Sequence, residues 1–582
     1  MKKISSQIRI RAAFNRLTMK RPGFAFFSIF CVILARHAAC AQSVKTLARP
    51  TSQQYAWQEQ ERIMFVVMDP ATWEGREYDN HSVPLARINP VKLNTDQWCQ
   101  AARSWGAKEI LFVAKHTGGF CWWQTHTTDY GIRNTPWKNG KGDVLKELSA
   151  SCKKYGLNLG IYVYPGDENW GAGVGSGGRT KDPARQAAYN KVYREQLKEV
   201  LTRYGKITEV WFDGSCVIDV SDILKKYAKD AVIFQGPMAT IRWAGSESGK
   251  LSDPAWNTLK SSALRTGVAT EAQGDPDGDA WAPLETNTTL YDHFWLWSPA
   301  GEKKIKSLDE LMEDYYKSIG YGSVFLLNST PDTSGLIPEA DMKLYAAFGR
   351  EIKRRFDHPV AGIKNKKGMQ TEIDLVHPAM INHVVIMEDY RQGARIRAYE
   401  VEGWTGDHWQ RLSTGTAVGR KKIDVFDPVK ISRLRLNVTR SAGTPLIRSL
   451  EVFNVSGPSG NAGTATKATA WTKCGAWDVG GFQKHIARIT LDLSSYINTP
   501  GQYEIKFVPN PGNSKISISK LSLFFENEEA PGFLTRLDAH TFNINRTQQV
   551  TRESSSKIIV QITAENDGGC KGIIYIRPGF SH

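Results

Sequence analysis

The feature that most constrains the fold is an alternation of short apolar runs with helical patterns between residues 57 and 356. The strand-like runs are 63–68, 109–115, 157–165, 208–214, 231–236 and 323–328. The helical patterns between them are 95–105, 143–155, 184–204, 221–230 and 308–319. Strands that alternate with helices form a parallel sheet with crossover helices, and a segment of this length favours an eight-fold barrel. Between 240 and 300 the pattern is irregular and does not mark the remaining strands.

Beyond residue 356 the pattern changes to an alternation of apolar and polar residues with turn sequences, which is typical of β-strands. Residues 358–456 are long enough for one β-sandwich, 457–468 have the composition of a linker, and 469–582 are again rich in strand patterns. The sequence therefore predicts an α/β chain: a (β/α)8-like barrel domain at 42–357, followed by two all-β sandwich domains at 358–456 and 469–582.

Residues 1–41 have the composition of a secretory signal peptide. They carry eight basic side chains and no acidic one, an apolar run at 24–34, and the cleavage pattern Ala39-Cys40-Ala41. The apolar run is too short to span a bilayer as a helix. We therefore expect a secreted or periplasmic protein without a transmembrane segment. Lipid anchoring at Cys40 is the less favoured alternative, because His37 stands where a lipoprotein signal has an apolar residue.

The positive charge does not indicate a nucleic-acid partner. Half of the net charge of +16 comes from residues 1–41, and the rest is dispersed apart from short runs such as 353–355. Nucleic-acid binding requires a basic patch or stripe, which the sequence lacks. The six cysteines beyond residue 41 are widely spaced, which indicates neither a zinc site nor a disulfide framework. Cys474 and Cys570 either form a bridge across the last domain or remain buried free thiols.

Two further motifs are weak. Residues 173–178 satisfy Gly-x-Gly-x-x-Gly, but a dinucleotide site needs a strand directly before the first glycine and a helix that starts within the motif. Here the predicted strand ends near Pro165 and the helix begins only after Pro183, which favours a loop beside a pocket. Residues 275–279 are rich in Asp but place Gly278 wrongly for an EF-hand, which favours a solvated turn. We therefore predict no cofactor and no metal.

The sharpest candidate for chemistry is Asp213. It follows three apolar residues at the end of a predicted buried strand, and catalytic groups of a parallel barrel lie at the carboxyl ends of its strands. Gly214 lets the chain turn away directly after it. The alternative role for Asp213, capping the next helix, is better filled by Ser221.

A second carboxylate is needed for acid–base chemistry. Glu247 lies in the glycine-rich stretch 245–249 with Trp243 close by, and an indole beside a carboxyl disfavours its charged form and favours proton donation. Spacing alone allows Glu247 equally well to be a solvated loop residue, and Glu285 is the competing acid. Asp213 paired with either glutamate gives the two-carboxylate arrangement of a glycosidase.

Residues 57–356 resemble the α-L-fucosidases of glycoside hydrolase family 29 in the order and spacing of many short motifs. These motifs are 93–98, 114–123, 128–130, 140–144, 160–162, 209–214 and 326–331. The resemblance implies a retaining exo-α-L-fucosidase that acts on a fucosylated oligosaccharide or glycoconjugate, with Asp213 as nucleophile. The branch similar to α-1,3/1,4-fucosidases implies Glu247 as acid/base. The predicted substrate-binding residues are His116, Trp122, Tyr162, Trp211, Glu77 and Trp243.

The chain departs from the family pattern around the sugar. Val67 stands where the first strand normally carries a histidine that contacts a fucose hydroxyl, and Thr117 and Gly166 replace two other usual residues. Asp69 is the candidate substitute for that histidine. These departures keep two alternatives open: a glycosidase for another sugar such as an α-L-galactoside, and a non-catalytic glycan-binding protein. Residues 358–456 resemble discoidin-like sandwiches, for which sugar binding and scaffolding are the competing roles.

Overall fold

The computed structural model describes residues 47–236, 238–264 and 273–455, together with the strands between 472 and 578. In the first part of the chain, helices and strands alternate as the sequence predicts. The α-helices are α1 (Ser52–Gln58), α2 (Thr95–Ser104), α3 (Val144–Tyr155), α4 (Pro183–Arg203), α5 (Ser221–Tyr227), α6 (Leu308–Ser318) and α7 (Glu339–Phe356). The strands are β1 (Arg62–Val66), β2 (Glu109–Lys115), β3 (Asn158–Val163), β4 (Ile207–Trp211), β5 (Val232–Phe234), β6 (Arg242–Trp243), β7 (Thr258–Leu259), β8 (Ala280–Trp281), β9 (Leu284–Thr288) and β10 (Val324–Ser329).

Eight of these strands form one parallel sheet in the order β5-β4-β3-β2-β1-β10-β9-β6. A parallel bridge between Phe234 and Ile241 joins the two edges, so the sheet is a nearly closed barrel. Strands β7 and β8 form a separate antiparallel pair. The predicted (β/α)8-like architecture is confirmed.

Alternation along β1 shows which side chains line the barrel interior. Ile63, Phe65 and Val67 pack in the interior apolar cluster, whereas Met64 and Val66 pack in the larger cluster beneath the helices. Successive side chains of a strand point to opposite faces, so the odd-numbered series runs along the inside toward the carboxyl end.

The region that the sequence left irregular holds β6 and β9. Strand β6 has only two residues, and β9 reads Leu-Glu-Thr-Asn-Thr, yet every residue of β9 is buried. The Thr286 hydroxyl donates to the carbonyl of Val324 at 3.1 Å, so it is satisfied inside the sheet. A buried strand whose polar groups bond to its neighbours has no apolar run, which is why the sequence pattern did not mark it.

The next part of the chain is all β. Its strands are β11 (Ala361–Lys367), β12 (Gln370–Glu388), β13 (Ile396–Trp404), β14 (Trp409–Gly415), β15 (Lys422–Ser441) and β16 (Leu446–Phe453). They form a six-stranded antiparallel sheet in the order β11-β16-β12-β15-β13-β14. Register shifts interrupt the pairing of the long strands β12 and β15, and the sheet encloses its own apolar cluster.

A charged junction joins this sheet to the barrel. Glu61, directly before β1, pairs with Arg420 and Lys421, and Lys422 Nζ lies 2.6 Å from Asp253 Oδ2. Although burial opposes its ionisation, the charges of Lys421 and Arg420 hold the pKa of Glu61 well below its usual value. The sheet therefore contacts the amino-terminal end of β1, away from the end where catalytic groups of a barrel lie.

The last described strands form two further sheets. They are β17 (Thr472–Val479), β18 (Ile486–Asp492), β19 (Gly501–Pro509), β20 (Ile516–Phe525), β21 (Glu528–Glu529), β22 (Leu534–Arg536), β23 (Thr541–Arg546), β24 (Ser556–Ala564) and β25 (Cys570–Pro578). Their orders are β17-β25-β19-β23-β22 and β18-β24-β20-β21. This is the second all-β unit that the sequence predicts.

The proposed bridge between Cys474 and Cys570 is wrong. Cys474 is a free thiol whose Sγ donates to the carbonyl of Ile574 at 3.5 Å. The register of β17 and β25 places Cys570 opposite Val479, five residues along the strand from Cys474. The two cysteines are therefore too far apart in register for a disulfide.

Several predictions fall on residues that the structure does not describe. They are the signal peptide at 1–41 with Cys40, and the linker at 457–468. Among the described residues, no helix combines the length and the apolar character that crossing a membrane requires.

Candidate active site

Asp213 lies just beyond the carboxyl end of β4. Its backbone is in the left-handed region with φ of 53°, and Gly214 follows with φ of 110°. A non-glycine residue in this region stores strain that its neighbours must hold, and such residues cluster at functional sites. The side chain of Asp213 is exposed at the end of the barrel where the sequence predicts catalytic groups.

The carboxylate of Asp213 is oriented by Tyr162 near the end of β3, whose hydroxyl donates to Oδ2 at 2.9 Å. Tyr162 is 2% exposed, and its ring packs against Phe65 in the barrel interior, so the donor is fixed. Surrounding protein atoms displace hydration from the carboxylate and raise the pKa of Asp213, the Tyr162 bond lowers it, and the charge of Glu247 raises it again. The two predicted catalytic carboxylates therefore interact electrostatically.

Glu247 lies on the exposed loop that follows β6. Its Oε2 accepts a hydrogen bond from the indole N–H of Trp295 at 3.1 Å. The Trp295 ring packs edge-on against Phe65, and its carbonyl accepts a bond from Asn328 at 3.0 Å. The sequence analysis did not identify Trp295 as a contact of Glu247. The available signal was its position in the aromatic stretch 291–297, shortly after β9. Trp295 connects the acid/base candidate to the barrel interior.

The structure places Trp243 half-buried on β6 and Glu285 inside the barrel on β9. The indole of Trp243 donates to Asn287 Oδ1 at 2.8 Å, whereas Trp295 is the indole that bonds to Glu247. Glu285 is fully buried in the amino-terminal half of β9. Burial and the charge of Glu209 raise the pKa of Glu285 well above its usual value. Glu285 therefore lies inside the barrel, toward the amino-terminal end of β9 and away from the end where catalytic groups of a barrel lie.

Three predicted residues, His116, Tyr162 and Glu77, lie near the two carboxylates. His116 follows β2, and its ring centroid lies 5.7 Å from that of Tyr162 and 6.2 Å from that of Tyr78, which it stacks on. Burial lowers the pKa of His116 to about 4, so at neutral pH the imidazole is uncharged and offers one donor and one acceptor. Burial and the charge of Glu247 raise the pKa of Glu77, which places Glu77 near the same carboxylates.

Asp69, the predicted substitute for the missing histidine, lies beside His116. Asp69 is fully buried, and its Oδ1 accepts from the amide of Ala71 at 3.1 Å. Its Oδ2 is 3.9 Å from His116 Nδ1 and has no hydrogen-bond partner among the described residues. Burial and the charge of Asp79 raise the pKa of Asp69. Val67, the residue at the expected histidine position, packs in the apolar interior instead.

Two of the predicted substrate contacts, Trp122 and Trp211, are almost fully buried. Trp122 is 1% exposed and stacks on Trp73, with ring centroids 6.5 Å apart. Trp211 is 3% exposed, lies face to face with Phe234 at 3.8 Å, and donates its indole N–H to Glu209 at 2.7 Å. Each ring packs against another aromatic ring, and the substrate contacts assigned to the two residues stay predictions. Both rings fill space in the apolar core, where large aromatic side chains contribute much of the packing energy.

The glycine-rich segment 173–178 is a loop, as predicted, and it contacts Tyr164. The amide of Gly175 donates to the hydroxyl of Tyr164 at 2.7 Å, and the carbonyl of Gly177 accepts from Val217 at 2.8 Å. Tyr164 stacks on Tyr162, with ring centroids 6.4 Å apart. The loop is thereby tied to the segment that follows Asp213.

The Asp-rich segment 275–279 forms a turn on the surface. The Asp279 carboxylate accepts from the amide and the hydroxyl of Ser261, at 2.7 and 2.8 Å. Asp275 Oδ1 accepts from the amide of Asp277 at 2.8 Å. These contacts give the acidic side chains local structural roles.

Comparisons with known proteins agree with this geometry. The family model for alpha-L-fucosidase matches residues 37–355. Alpha-L-fucosidase 1 of Arabidopsis thaliana is 30% identical over 498 residues, which cover 77% of this chain and 96% of the plant protein. A solved protein from Bacteroides thetaiotaomicron is 32% identical with a TM-score of 0.66, over 70% of this chain and 100% of that one.

A second solved structure extends the likeness beyond the barrel. It is a glycoside hydrolase 29 family member from an unknown rumen bacterium, 25% identical with a TM-score of 0.66. The match covers 92% of this chain and 100% of that one, so it includes both the barrel and the β-rich part. The chain is a glycoside hydrolase and belongs to the alpha-L-fucosidase family, glycoside hydrolase family 29.

Proposed function

We propose that the protein is a retaining exo-α-L-fucosidase in which Asp213 is the nucleophile and Glu247 is the acid/base. The placement of Asp213 carries the proposal. Its carboxylate stands at the end of a barrel strand, fixed by Tyr162 at 2.9 Å, and it interacts electrostatically with the carboxylate of Glu247 on a separate loop. A pair of carboxyl groups on either side of the scissile bond is what a retaining glycosidase uses.

The reaction has two steps. In the first, the Asp213 carboxylate attacks the anomeric carbon of fucose, the glycosidic C–O bond breaks, and Glu247 donates a proton to the leaving oxygen. In the second, Glu247 takes a proton from water, the water oxygen attacks the anomeric carbon, and the bond to Asp213 breaks. Each step inverts the anomeric carbon, so fucose leaves with its original configuration. Tyr162 orients the nucleophile, and Trp295 holds the acid/base.

Recognition of the sugar is assigned to the side chains above Asp213. The neutral imidazole of His116 and the unpaired Oδ2 of Asp69 bind hydroxyl groups, and Glu77 contributes a further acceptor. Val67 leaves the deeper wall apolar, which suits the methyl group that distinguishes fucose from galactose. A hydroxyl placed against an apolar wall loses its hydrogen bond to water without replacement.

A panel of nitrophenyl glycosides tests this assignment. We expect kcat/KM for the α-L-fucoside to exceed that for the α-L-galactoside by at least about 10-fold, because the extra hydroxyl meets an apolar wall. Proton NMR of the first product is expected to show α-fucose. A preference for the galactoside would favour the second candidate, an α-L-galactosidase, which the absence of the usual histidine at position 67 keeps open, and would contradict the apolar wall at Val67. The β-anomer appearing first would overturn the retaining mechanism.

Linkage preference follows from the loop that carries Glu247. The amide of Gly249 donates to the carbonyl of Asn287 at 2.9 Å, and Gly245 and Gly249 have φ of 85° and 73°. A flexible loop of this kind is ordered by contacts from a branching galactose on the leaving group, which raises turnover as well as affinity. We expect higher kcat/KM for a branched Lewis trisaccharide, containing α-1,3/1,4-fucose, than for an α-1,2-fucoside. Equal or faster hydrolysis of the α-1,2 substrate would contradict this.

The proposal also includes export of the protein from the cytoplasm. The basic and apolar composition of residues 1–41 supports removal of a signal peptide and function in a secreted or periplasmic location. The partner in either location is a fucosylated oligosaccharide or glycoconjugate. Cell fractionation, with the amino terminus of the processed protein sequenced, distinguishes cleavage after Ala41 from lipid anchoring at Cys40.

A further inference from the structure

We propose that Gln235 is a positioning residue for Asp213: its side-chain amide clamps the turn that holds the nucleophile in its left-handed conformation. The inference rests on the assignment of Asp213 as nucleophile. It adds a residue that neither the sequence motifs nor the family likeness identifies. Gln235 follows β5, the neighbour of β4 in the barrel sheet.

The clamp consists of contacts between two strand ends. The amide of Gly214 donates to Oε1 of Gln235, and the carbonyl of Gly214 accepts from the amide of Gly236 at 3.0 Å. One residue before Asp213, the amide of Phe212 donates to the carbonyl of Phe234 at 3.2 Å. The residues on both sides of Asp213 are therefore tied to β5 and the two residues after it.

Backbone conformation shows that the arrangement is held under strain. Asp213 has φ of 53° and Gln235 has φ of 62°, so two non-glycine residues in the left-handed region face each other across this contact. Such a residue costs the folded state free energy and persists only where its surroundings fix it. Gln235 is 5% exposed, so the bond between its side chain and Gly214 lies in a buried environment where a lost partner is costly.

The clamp affects catalysis by fixing the direction in which the Asp213 carboxylate points. Side-chain rotation cannot correct a misplaced backbone at Asp213, because Tyr162 fixes where Oδ2 must lie. Release of Gly214 lets the turn relax toward ordinary conformations and moves the nucleophile away from the anomeric carbon. A displacement of about 1 Å at a reacting group can cost on the order of 10²-fold in rate. The clamp therefore affects the rate of nucleophilic attack and not the affinity for the sugar.

Two variants of Gln235 and one matched control test the role. Gln235→Met keeps the length without the acceptor, and Gln235→Asn tolerates the left-handed backbone but is too short to reach Gly214. For both we expect kcat on nitrophenyl α-L-fucoside to fall about 10- to 100-fold, with KM within about twofold. The control is Gln54→Met. Gln54 is also 5% exposed and bonds to the carbonyls of Thr240 and Trp281, at 2.7 and 2.8 Å. It should lower the unfolding temperature while kcat stays within about twofold.

Rescue by azide distinguishes a loss of carboxylate positioning from a general loss of active-site structure. In an Asp213→Gly variant, azide attacks the anomeric carbon as the nitrophenolate leaves, so the reaction no longer needs the Asp213 side chain. Adding Gln235→Met to Asp213→Gly is expected to change this azide-dependent rate by less than about twofold, because glycine adopts the left-handed conformation without strain. A further loss of about 10-fold or more would overturn the positioning role.

The same experiment distinguishes the two proposals from each other. If Asp213→Gly is inactive and azide restores fucosyl transfer, Asp213 is the nucleophile; wild-type kcat in both Gln235 variants then overturns only the inference about Gln235. If Asp213→Gly keeps its activity, the proposed function fails and the role of Gln235 fails with it.

Discussion

Replacement of Asp213 with asparagine is expected to lower kcat on nitrophenyl α-L-fucoside by at least about 10³-fold, because an amide cannot form the glycosyl ester. The variant keeps the size of the side chain and an oxygen that can accept from Tyr162, which lies 2.9 Å away in the wild-type protein. Binding should therefore survive. We expect fucose, added as a product ligand, to raise the unfolding temperature of both the variant and the wild type.

The same substitution is expected to stabilise the fold at neutral pH. Loss of hydration and the charge of Glu247 raise the pKa of Asp213 above its unfolded value of 3.8, so ionised Asp213 costs the native state free energy. Solvent contact at this exposed residue screens the charge and keeps that cost small. This cost is absent below the unfolded pKa and is complete above the raised folded pKa. Asp213→Asn removes it, so the unfolding temperature of the variant should exceed that of the wild type at about pH 7, with the difference shrinking toward about pH 3.8.

A nearby carboxylate provides the control for both measurements. Asp219 is exposed and its Oδ1 accepts from the amide of Ser221 at 3.0 Å, which lowers the pKa of Asp219. Asp219→Asn should retain kcat within about twofold and should not raise the unfolding temperature, because its charge stabilises the native state. Activity of Asp213→Asn within about 10-fold of wild type would exclude Asp213 as the nucleophile.

Much of the fold was predictable because strand and helix periodicities are local properties. The apolar runs at β1 to β5 and at β10 marked the barrel, and alternation beyond residue 356 marked the β-rich part. Strand β9 was not predictable because Glu285, Thr286 and Asn287 are polar and yet buried. Their burial depends on partners from distant segments, such as the carbonyl of Val324, which a local pattern does not contain.

The candidate site likewise contains residues that the sequence predicts and residues that only the folded structure brings together. Asp213 and Glu247 could be predicted because each follows a strand within a short, distinctive motif. Trp122 and Trp211 are predicted sugar contacts, and their near-complete burial depends on packing partners that a local pattern does not contain. Trp295 reaches Glu247 from 48 residues further along the chain, so only the closed barrel brings the two together.

Replacement of Glu247 by glutamine is expected to separate substrates by their leaving groups. A sugar leaving group needs a proton as the glycosidic bond breaks, and proton donation contributes about 10²- to 10⁴-fold to such steps. Glu247→Gln should therefore slow the hydrolysis of a fucosyl disaccharide by that factor. A nitrophenolate leaves without protonation, so the pre-steady-state release of nitrophenol should fall much less. The second step still needs the Glu247 carboxylate as a base, so steady-state turnover should fall for both substrates.

Glu302 offers a matched control for this experiment. It is exposed, and its Oε1 accepts the indole N–H of Trp297 at 2.8 Å, just as Glu247 accepts that of Trp295 at 3.1 Å. Glu302→Gln should leave kcat on both substrates within about twofold, because its carboxylate is bound to an indole without being near Asp213. An equal loss on disaccharide and nitrophenyl substrate in the first step would show that Glu247 does not donate the proton. The acid would then have to come from another carboxyl at the mouth of the barrel, and Glu77 is placed there by its interaction with Glu247.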